Sequence, residues 1–304
     1  MMTDDCFSEY LRLLTRLHEL IAQGRGDADE ADVIRDQMDW PWSQLNRRQI
    51  ELADGLSSDL STLGTNRTAT EFATTSDDEF CDAVQRQDWE SALRFVRKRE
   101  QSLAPANVAF LRGAVWLQLN QPKIALKFLE ESARIKPPDA EHEIWHLRCL
   151  VQSDRAVDAV PRARELLETS SNLLVRCTAL QVLFFAAYAL PDPKRRAMLI
   201  ESCRLAETLL SDSLWSTPPL GTHPQLQLGL WQHLAIGYLE LDDREKATHA
   251  CIGVLQIQPD YRSALELLGF LNYPDFPQEE RGPFVRRLQR ESSHVFNYAP
   301  LTLA

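Results

Sequence analysis

The sequence predicts an all-α protein built from stacked helix-turn-helix units. Residues 107–137 and 229–259 align so that small, aromatic and proline residues fall at the same offsets. In both stretches apolar residues recur at steps of three and four, which is the period of one helix face. A polar break, Asp242 and Asp243 in the second stretch, predicts a turn between two helices in each.

The first sixty residues predict a separate module of three helices. Residues 8–20 carry apolar side chains at helical steps, and Gly24 ends that helix. A second helix is expected to begin after Asp27, where carboxylates favour a first turn, and to end before Trp40. Trp40 and Trp42 could lie in the core or form a contact with a partner, and we expect them in the core. A third helix is predicted over 47–60.

The predicted organisation has four parts. They are an N-terminal helical module over 1–63, a threonine-rich polar linker over 64–76, a helical array over 77–290 and a tail over 291–304. Helix pairs are expected over 77–103, 107–137, 140–169, 171–214 and 229–259, with a loop over 215–224, a half-repeat near Leu265 and a last helix near 284–290. Isolated helices of this length are marginal in water, so stacking must stabilise them.

The two aligned stretches resemble the tetratricopeptide repeat (TPR), a 34-residue helix-turn-helix unit. The resemblance implies a right-handed solenoid over roughly 77–290 and leaves the N-terminal module outside it. The residues that carry it are Gly113, Trp116, Leu119, Ala125, Leu129, Ser132 and Pro137 in the first stretch, and Trp231, Leu234, Ala235, Tyr238, Leu241, Ala247 and Pro259 in the second.

Composition limits the classes of partner. A formal charge of -11 and a pI near 5.2 disfavour nucleic acid, which selects a basic face. The start of the chain is acidic where a secretory signal is basic, and the six cysteines are scattered singly, so we expect a reducing cytoplasm. The most apolar stretch, 173–190, is interrupted by Arg176 and Gln181, which favours a buried helix over a membrane span.

One string could carry enzyme chemistry. Residues 142–146 read HExxH, which on a helix places His142 and His146 one turn apart as zinc ligands, with Glu143 beside them. Glu165 follows with eighteen residues between it and His146, a spacing similar to that of gluzincin aminopeptidases. The strand pattern and upstream exopeptidase motif of those enzymes are missing, and Ile144, Trp145 and Leu147 suit a packed repeat helix. The zinc metallopeptidase is therefore an alternative, and our expectation is no metal and no cofactor.

The TPR resemblance implies a binding groove along the first helix of each pair. Its mixed, slightly acidic lining lacks the lysines of a two-carboxylate clamp, which favours an amphipathic or extended peptide or a helical protein. The lining positions are Asn107, Phe110, Ala114, Gln118, Ile144, Arg148, Gln232, Ile236, Glu240, Glu266 and Phe270.

We therefore expect a non-catalytic protein-protein interaction scaffold or adaptor, not an enzyme. A second alternative is a regulatory subunit of a secretion or assembly complex that uses the N-terminal module as its contact. A basic amphipathic patch, Arg281, Arg286, Arg287 and Arg290, could dock an acidic partner or an anionic surface, but we expect it to cap the array. The sequence leaves the partner's identity and the oligomeric state open.

Overall fold

The computed structural model describes residues 2–64, 78–211, 224–272 and 282–289. Every regular element in these ranges is an α-helix, which confirms the all-α prediction. The chain divides into two compact units, Met1–Pro137 (unit 1) and Pro138–Thr302 (unit 2). Apart from Gly64 and residue 224, the predicted linker, the predicted 215–224 loop and the tail lie outside the described residues. The predicted domain boundaries stay predictions.

Unit 1 carries the first seven helices that the structure describes. They are α1 (Met2–Ala22), α2 (Asp29–Ser43), α3 (Arg47–Leu60), α4 (Asp78–Gln85), α5 (Trp89–Lys98), α6 (Pro105–Gln118) and α7 (Pro122–Ile135). Unit 2 carries α8 (Ala140–Gln152), α9 (Ala156–Thr169), α10 (Leu173–Ala189), α11 (Lys194–Leu210), α12 (Pro224–Glu240), α13 (Arg244–Ile257), α14 (Arg262–Asn272) and α15 over 282–289.

Helices pack against their neighbours along the chain. In unit 1, α1 lies against α2 and α3, while α4, α5, α6 and α7 form consecutive contacts. In unit 2, α10 contacts α8, α9, α11 and α12, and the series continues from α11 through α14. This neighbour-to-neighbour packing of helical hairpins confirms the predicted fold class.

The same turn joins the two helices of four hairpins. Gln87, Asn120, Asp154 and Asp242 occupy it with positive φ angles of 56°, 57°, 60° and 63°. In each hairpin the next backbone N–H donates to the carbonyl five residues earlier, at 2.8 to 3.0 Å, which is a Schellman helix end. The first three of these residues are 33 and 34 positions apart, so the turn recurs at the period of a helical-hairpin repeat.

The α10–α11 pair departs from this pattern. Its connection runs through Pro191 and Pro193 and lacks the left-handed residue of the other turns. α10 lies in the core of unit 2, with Leu180 and Phe184 fully buried. Across the part of the chain that the structure describes, none of the helices has both the length and the hydropathy that a membrane crossing requires.

The N-terminal helices follow the predicted order with different bounds. α2 runs through Pro41 to Ser43, so the predicted end before Trp40 is wrong. Pro41 lies in the last turn, where its missing N–H removes only one hydrogen bond, and its ring is buried. α3 begins as predicted, because Asn46 and Gln49 form a reciprocal capping box at its start.

A buried ionic cluster joins α3 to the first hairpins of unit 1. The Asp59 carboxylate is 0% exposed and lies 3.0 Å from Nη2 of Arg97 and 2.8 Å from Nη2 of Arg112. Arg112 also reaches Glu100 at 3.3 Å. Gly55 leaves the space for this contact, because a Cβ there would lie 2.2 Å from the Arg97 guanidinium. α3 and the hairpins of unit 1 therefore share a charged core contact.

Candidate interaction surfaces

The HExxH string lies on α8, and its glutamate is held by an arginine of α9. Glu143 is 4% exposed, and its Oε1 accepts hydrogen bonds from Nε and Nη2 of Arg162 at 3.0 and 2.7 Å. Arg162 also contacts Glu165 through Nη1 at 2.6 Å. Hydrogen bonds to Glu143 and Glu165 raise the pKa of Arg162. Two of the four residues proposed for zinc chemistry thus share one guanidinium instead of facing an open site.

The histidines of the string have other surroundings. His142 Nδ1 lies 2.7 Å from Oδ1 of Asp139, and His146 is half-buried. Within the described ranges, no group of three or more His, Cys, Asp or Glu side chains is placed to hold a metal ion. The arrangement fits the packed repeat helix that Ile144 and Trp145, both buried, indicate.

In unit 1, the predicted groove residues all lie on α6. Asn107 and Gln118 are half-buried, and neither side chain has a hydrogen bond with another residue that the structure describes. Phe110 and Ala114, which lie between them on the same face, are buried. The accessible part of this face is therefore its two polar ends, about 16 Å apart along the helix.

In unit 2, the predicted groove residues are mostly part of the packed interior. Arg148 is buried with its Cζ 5.7 Å from the centre of the Trp145 ring, and desolvation lowers its pKa to about 10. Gln232 is buried and accepts a hydrogen bond from the Tyr261 hydroxyl at 2.8 Å. Ile144 and Ile236 are buried, whereas Glu240 is half-buried with Arg195 3.8 Å away.

The remaining two groove residues contact the last described helix. Phe270 of α14 stacks on Phe284 of α15 with ring centres 5.1 Å apart, and Glu266 forms an ion pair with Arg287. Val285 is buried in the same core. α15 thus packs on α14, as a capping helix would, and it covers positions where the resemblance implied a partner. Partner binding by the predicted groove residues stays a prediction, and in this conformation the buried ones serve packing.

α2 has an exposed apolar face where the sequence analysis favoured a core position. Trp40 is 62% exposed and Val33 is 53% exposed, so the prediction that Trp40 belongs to the core is wrong. Trp42, two residues on, is half-buried and lies with its ring centre 5.1 Å from that of Tyr10. Because α2 continues through Pro41, Trp40 and Trp42 point to different sides of one helix. The run of carboxylates around Trp40 was the signal that could have indicated an outer face.

Comparison with known proteins finds a distant likeness to a solved structure. No family model matches the chain. No curated protein matches it either. Among solved structures, the chain is similar to the crystal structure of the P58(IPK) TPR domain at 2.5 Å, with 15% identity, 95% of this chain and 80% of that chain covered, and a TM-score of 0.29. The architecture described above stands on the geometry of the hairpins and not on this likeness.

Proposed function

We propose that this chain is a non-catalytic scaffold that binds other proteins through the surfaces of its helical hairpins. The observation that carries the proposal is the Schellman turn that recurs at Gln87, Asn120 and Asp154 with repeat spacing. Arrays of such hairpins present extended surfaces, and their usual role is to bind peptides or helices. The partner is a protein segment and not a nucleic acid, since the net charge of -11 disfavours a phosphate backbone.

The α6 face supports a peptide site in unit 1. Asn107 and Gln118 offer amide donors and acceptors at its two ends, and such groups can bond the main chain of an extended peptide. Cytoplasmic location is part of the proposal. It is supported by the cysteines whose side chains the structure describes, five of the six in the chain, which are all free and buried and suit a reducing compartment. They are Cys6, Cys149, Cys177, Cys203 and Cys251.

Site-specific photo-crosslinking tests this proposal. A photoreactive phenylalanine analogue at position 118 should capture a defined protein that also forms a stoichiometric complex with the purified chain. The same analogue at Arg47, whose side chain is 95% exposed, is the control. Asn107→Ala combined with Gln118→Ala should weaken the complex by about tenfold, or about 1.4 kcal/mol. Two outcomes would contradict a site on α6. One is capture of the same proteins at positions 118 and 47, and the other is that no captured protein binds the chain when both are purified.

A contact through the N-terminal helices is the second possibility, and the exposed face of α2 favours it. It would make the chain a subunit whose N-terminal module holds a partner, as a regulatory or assembly protein does. Deleting residues 1–64 would also remove Asp59 and its core contact, so point substitutions on α2 are the better test.

A further inference from the structure

The outer face of α2 combines exposed apolar side chains at helical spacing. Val33 and Trp40 are seven residues apart, which places them on one side of the helix about 10 Å from each other. The opposite side of α2 packs on α1 through Ala31 and Ile34. Large aromatic side chains are enriched where partners bind, and Trp40 has no ring contact with another residue that the structure describes. This side of α2 therefore has the exposed, helically spaced apolar residues of a surface that binds another helix.

Three carboxylates surround these apolar side chains. Asp29, Asp36 and Asp39 are exposed, and none forms a salt bridge or side-chain hydrogen bond with any residue in the described ranges. The other two acidic residues of α2 behave differently. Glu30 binds Arg16 and Arg25 at 2.8 and 2.7 Å, and Asp32 binds Arg35 at 2.6 Å. The acidic residues left without an intramolecular cation are therefore those that border Val33 and Trp40.

Asp36 and Asp39 also repel each other. They are three residues apart, so their negative charges lie next to each other across one turn of α2, and α2 has no basic residue in its last turn. This repulsion lowers the stability of the free helix by about 0.2 to 0.5 kcal/mol. A cation brought by a partner would relieve it.

We propose that this face, Asp29, Val33, Asp36, Asp39 and Trp40, binds a cationic amphipathic helix of a partner protein. The partner's apolar residues, spaced seven apart, pack on Val33 and Trp40. Its lysines or arginines lie against the carboxylates, and a guanidinium over the Trp40 indole adds a cation–π contact. The inference rests on the proposed function in one respect, that the chain binds proteins, but it concerns a different surface from α6.

Charge complementarity selects this occupant over two others. A second copy of the chain docked face to face would bring the same unpaired carboxylates together, which costs affinity. The basic helix α15 of this chain is already engaged within unit 2, where Val285 and Leu288 are buried and Arg287 binds Glu266. The occupant is therefore a basic segment of another protein.

A synthetic helix can test the proposal with the full-length chain. The probe is a fluorescein-labelled peptide of about 20 residues, with leucines seven apart and lysines and arginines on both flanks. Fluorescence anisotropy should show saturable binding that weakens as salt rises from about 50 to 300 mM, because screening reduces the ionic contacts. Trp40→Ala and the double variant Asp36→Asn with Asp39→Asn should each weaken binding by about tenfold.

Matched variants separate this face from the general acidity of the protein. Ile200→Ala removes an aliphatic side chain with the same 53% exposure as Val33, and Glu168→Gln removes an exposed carboxylate, both in unit 2. Both controls should bind the probe within about twofold of the original chain. A probe with glutamate in place of its basic residues should not bind.

Two results would overturn the proposal. One is that the labelled peptide shows no saturable binding at protein concentrations up to about 1 mM. The other is that affinity for the peptide falls equally in the α2 variants and in the unit 2 controls. Circular dichroism melting of each variant establishes that it is folded. The photo-crosslink at position 118 reports on the proposed function independently of α2. If adducts form at position 118 but the peptide does not bind, the proposed scaffold function is retained and the α2 face is rejected. If the peptide binds but no adducts form at position 118, the α2 face is retained and the α6 site is rejected.

Discussion

Arg162 of α9 donates two hydrogen bonds to one carboxylate oxygen of Glu143 on α8, at 3.0 and 2.7 Å. The carboxylate is almost completely buried, while the side chain of Arg162 is 39% exposed. The contact joins the two helices of one hairpin and uses the glutamate that a zinc hydrolase would need as a base. Glu143 therefore has a packing role in this hairpin.

Arg162→Ala should lower the free energy of unfolding by about 1 to 3 kcal/mol, because it leaves a buried carboxylate without its donors. Urea denaturation measures the change. Arg155→Ala is the control, since its contact with Asp158 lies at the surface between side chains that are 47% and 57% exposed. The control should shift stability by less than about 0.5 kcal/mol. Equal stability of Arg162→Ala and the original chain would contradict the role of this contact.

Metal analysis tests the hydrolase alternative directly. We expect no stoichiometric zinc in protein purified without an affinity tag or chelator, because Glu143 is bound to Arg162 and His142 to Asp139. Inductively coupled plasma mass spectrometry measures the content. One zinc per chain that is lost in His146→Ala, and kept in a variant of the exposed His249, would reject the scaffold proposal and direct attention to peptide substrates.

Asp59→Asn should strongly destabilise unit 1. The substitution removes the charge that faces Arg97 and Arg112 at 3.0 and 2.8 Å, and breaking a buried ion pair costs about 3 to 5 kcal/mol. In thermal melting of the full chain, the lower stability of unit 1 would appear as an unfolding transition at a lower temperature. Asp54→Asn, an exposed change on the same helix, should leave the melting curve nearly unchanged. A stable Asp59→Asn variant would mean that the cluster does not hold α3 in place.

Two glycine-to-alanine substitutions should change the free energy of unfolding in opposite directions. At Gly113 a Cβ would lie 2.7 Å from Cγ of Leu129 and 3.1 Å from the carbonyl oxygen of Ala125, so Gly113→Ala should cost about 1 to 3 kcal/mol. At Gly269 the added Cβ meets nothing within 4 Å, and Gly269→Ala should stabilise its helix by about 0.5 to 1 kcal/mol. Urea midpoints distinguish the two. Stabilisation by Gly113→Ala would contradict the close approach of α6 and α7.

His233 should make stability depend on pH. The ring is fully buried, stacked on Phe184 with centres 5.2 Å apart, and desolvation lowers its pKa to about 3. Below about pH 6.5 the His233 side chain binds a proton in the unfolded state but stays neutral in the folded state. Its neutral form therefore contributes full stability above that pH, and this contribution is lost as the pH falls toward 3.

Between pH 7 and pH 5 the loss should approach 2 kcal/mol, measured by denaturant unfolding at each pH. His233→Gln should reduce this pH dependence, whereas the same change at the exposed His249 should retain it. A His233→Gln variant with the same slope as the original chain would show that other groups cause the acid sensitivity.

The helices and their order were predictable because they depend on local sequence. Apolar residues at steps of three and four define a helix face whatever it later packs against, and α3 was predicted with the bounds Arg47–Leu60 that the structure has. The conformation of each turn likewise depends on the residues within it. Asn120 and Asp242 accept the left-handed conformation at little cost, so the hairpins they join could be located from composition and spacing.

Which faces are covered could not be read from the same pattern. The positions implied for a groove include Phe110 and Ile236, which tertiary packing buries, while Trp40 was assigned to the core and is exposed. The sequence left a catalytic role for Glu143 open as an alternative, and only the fold shows that Arg162, nineteen residues later, lies against it. Periodicity says that a helix has an apolar or polar side, because that property belongs to one segment. Burial and charge pairing depend on which other segment packs against that side, so they are set by contacts between residues distant in sequence.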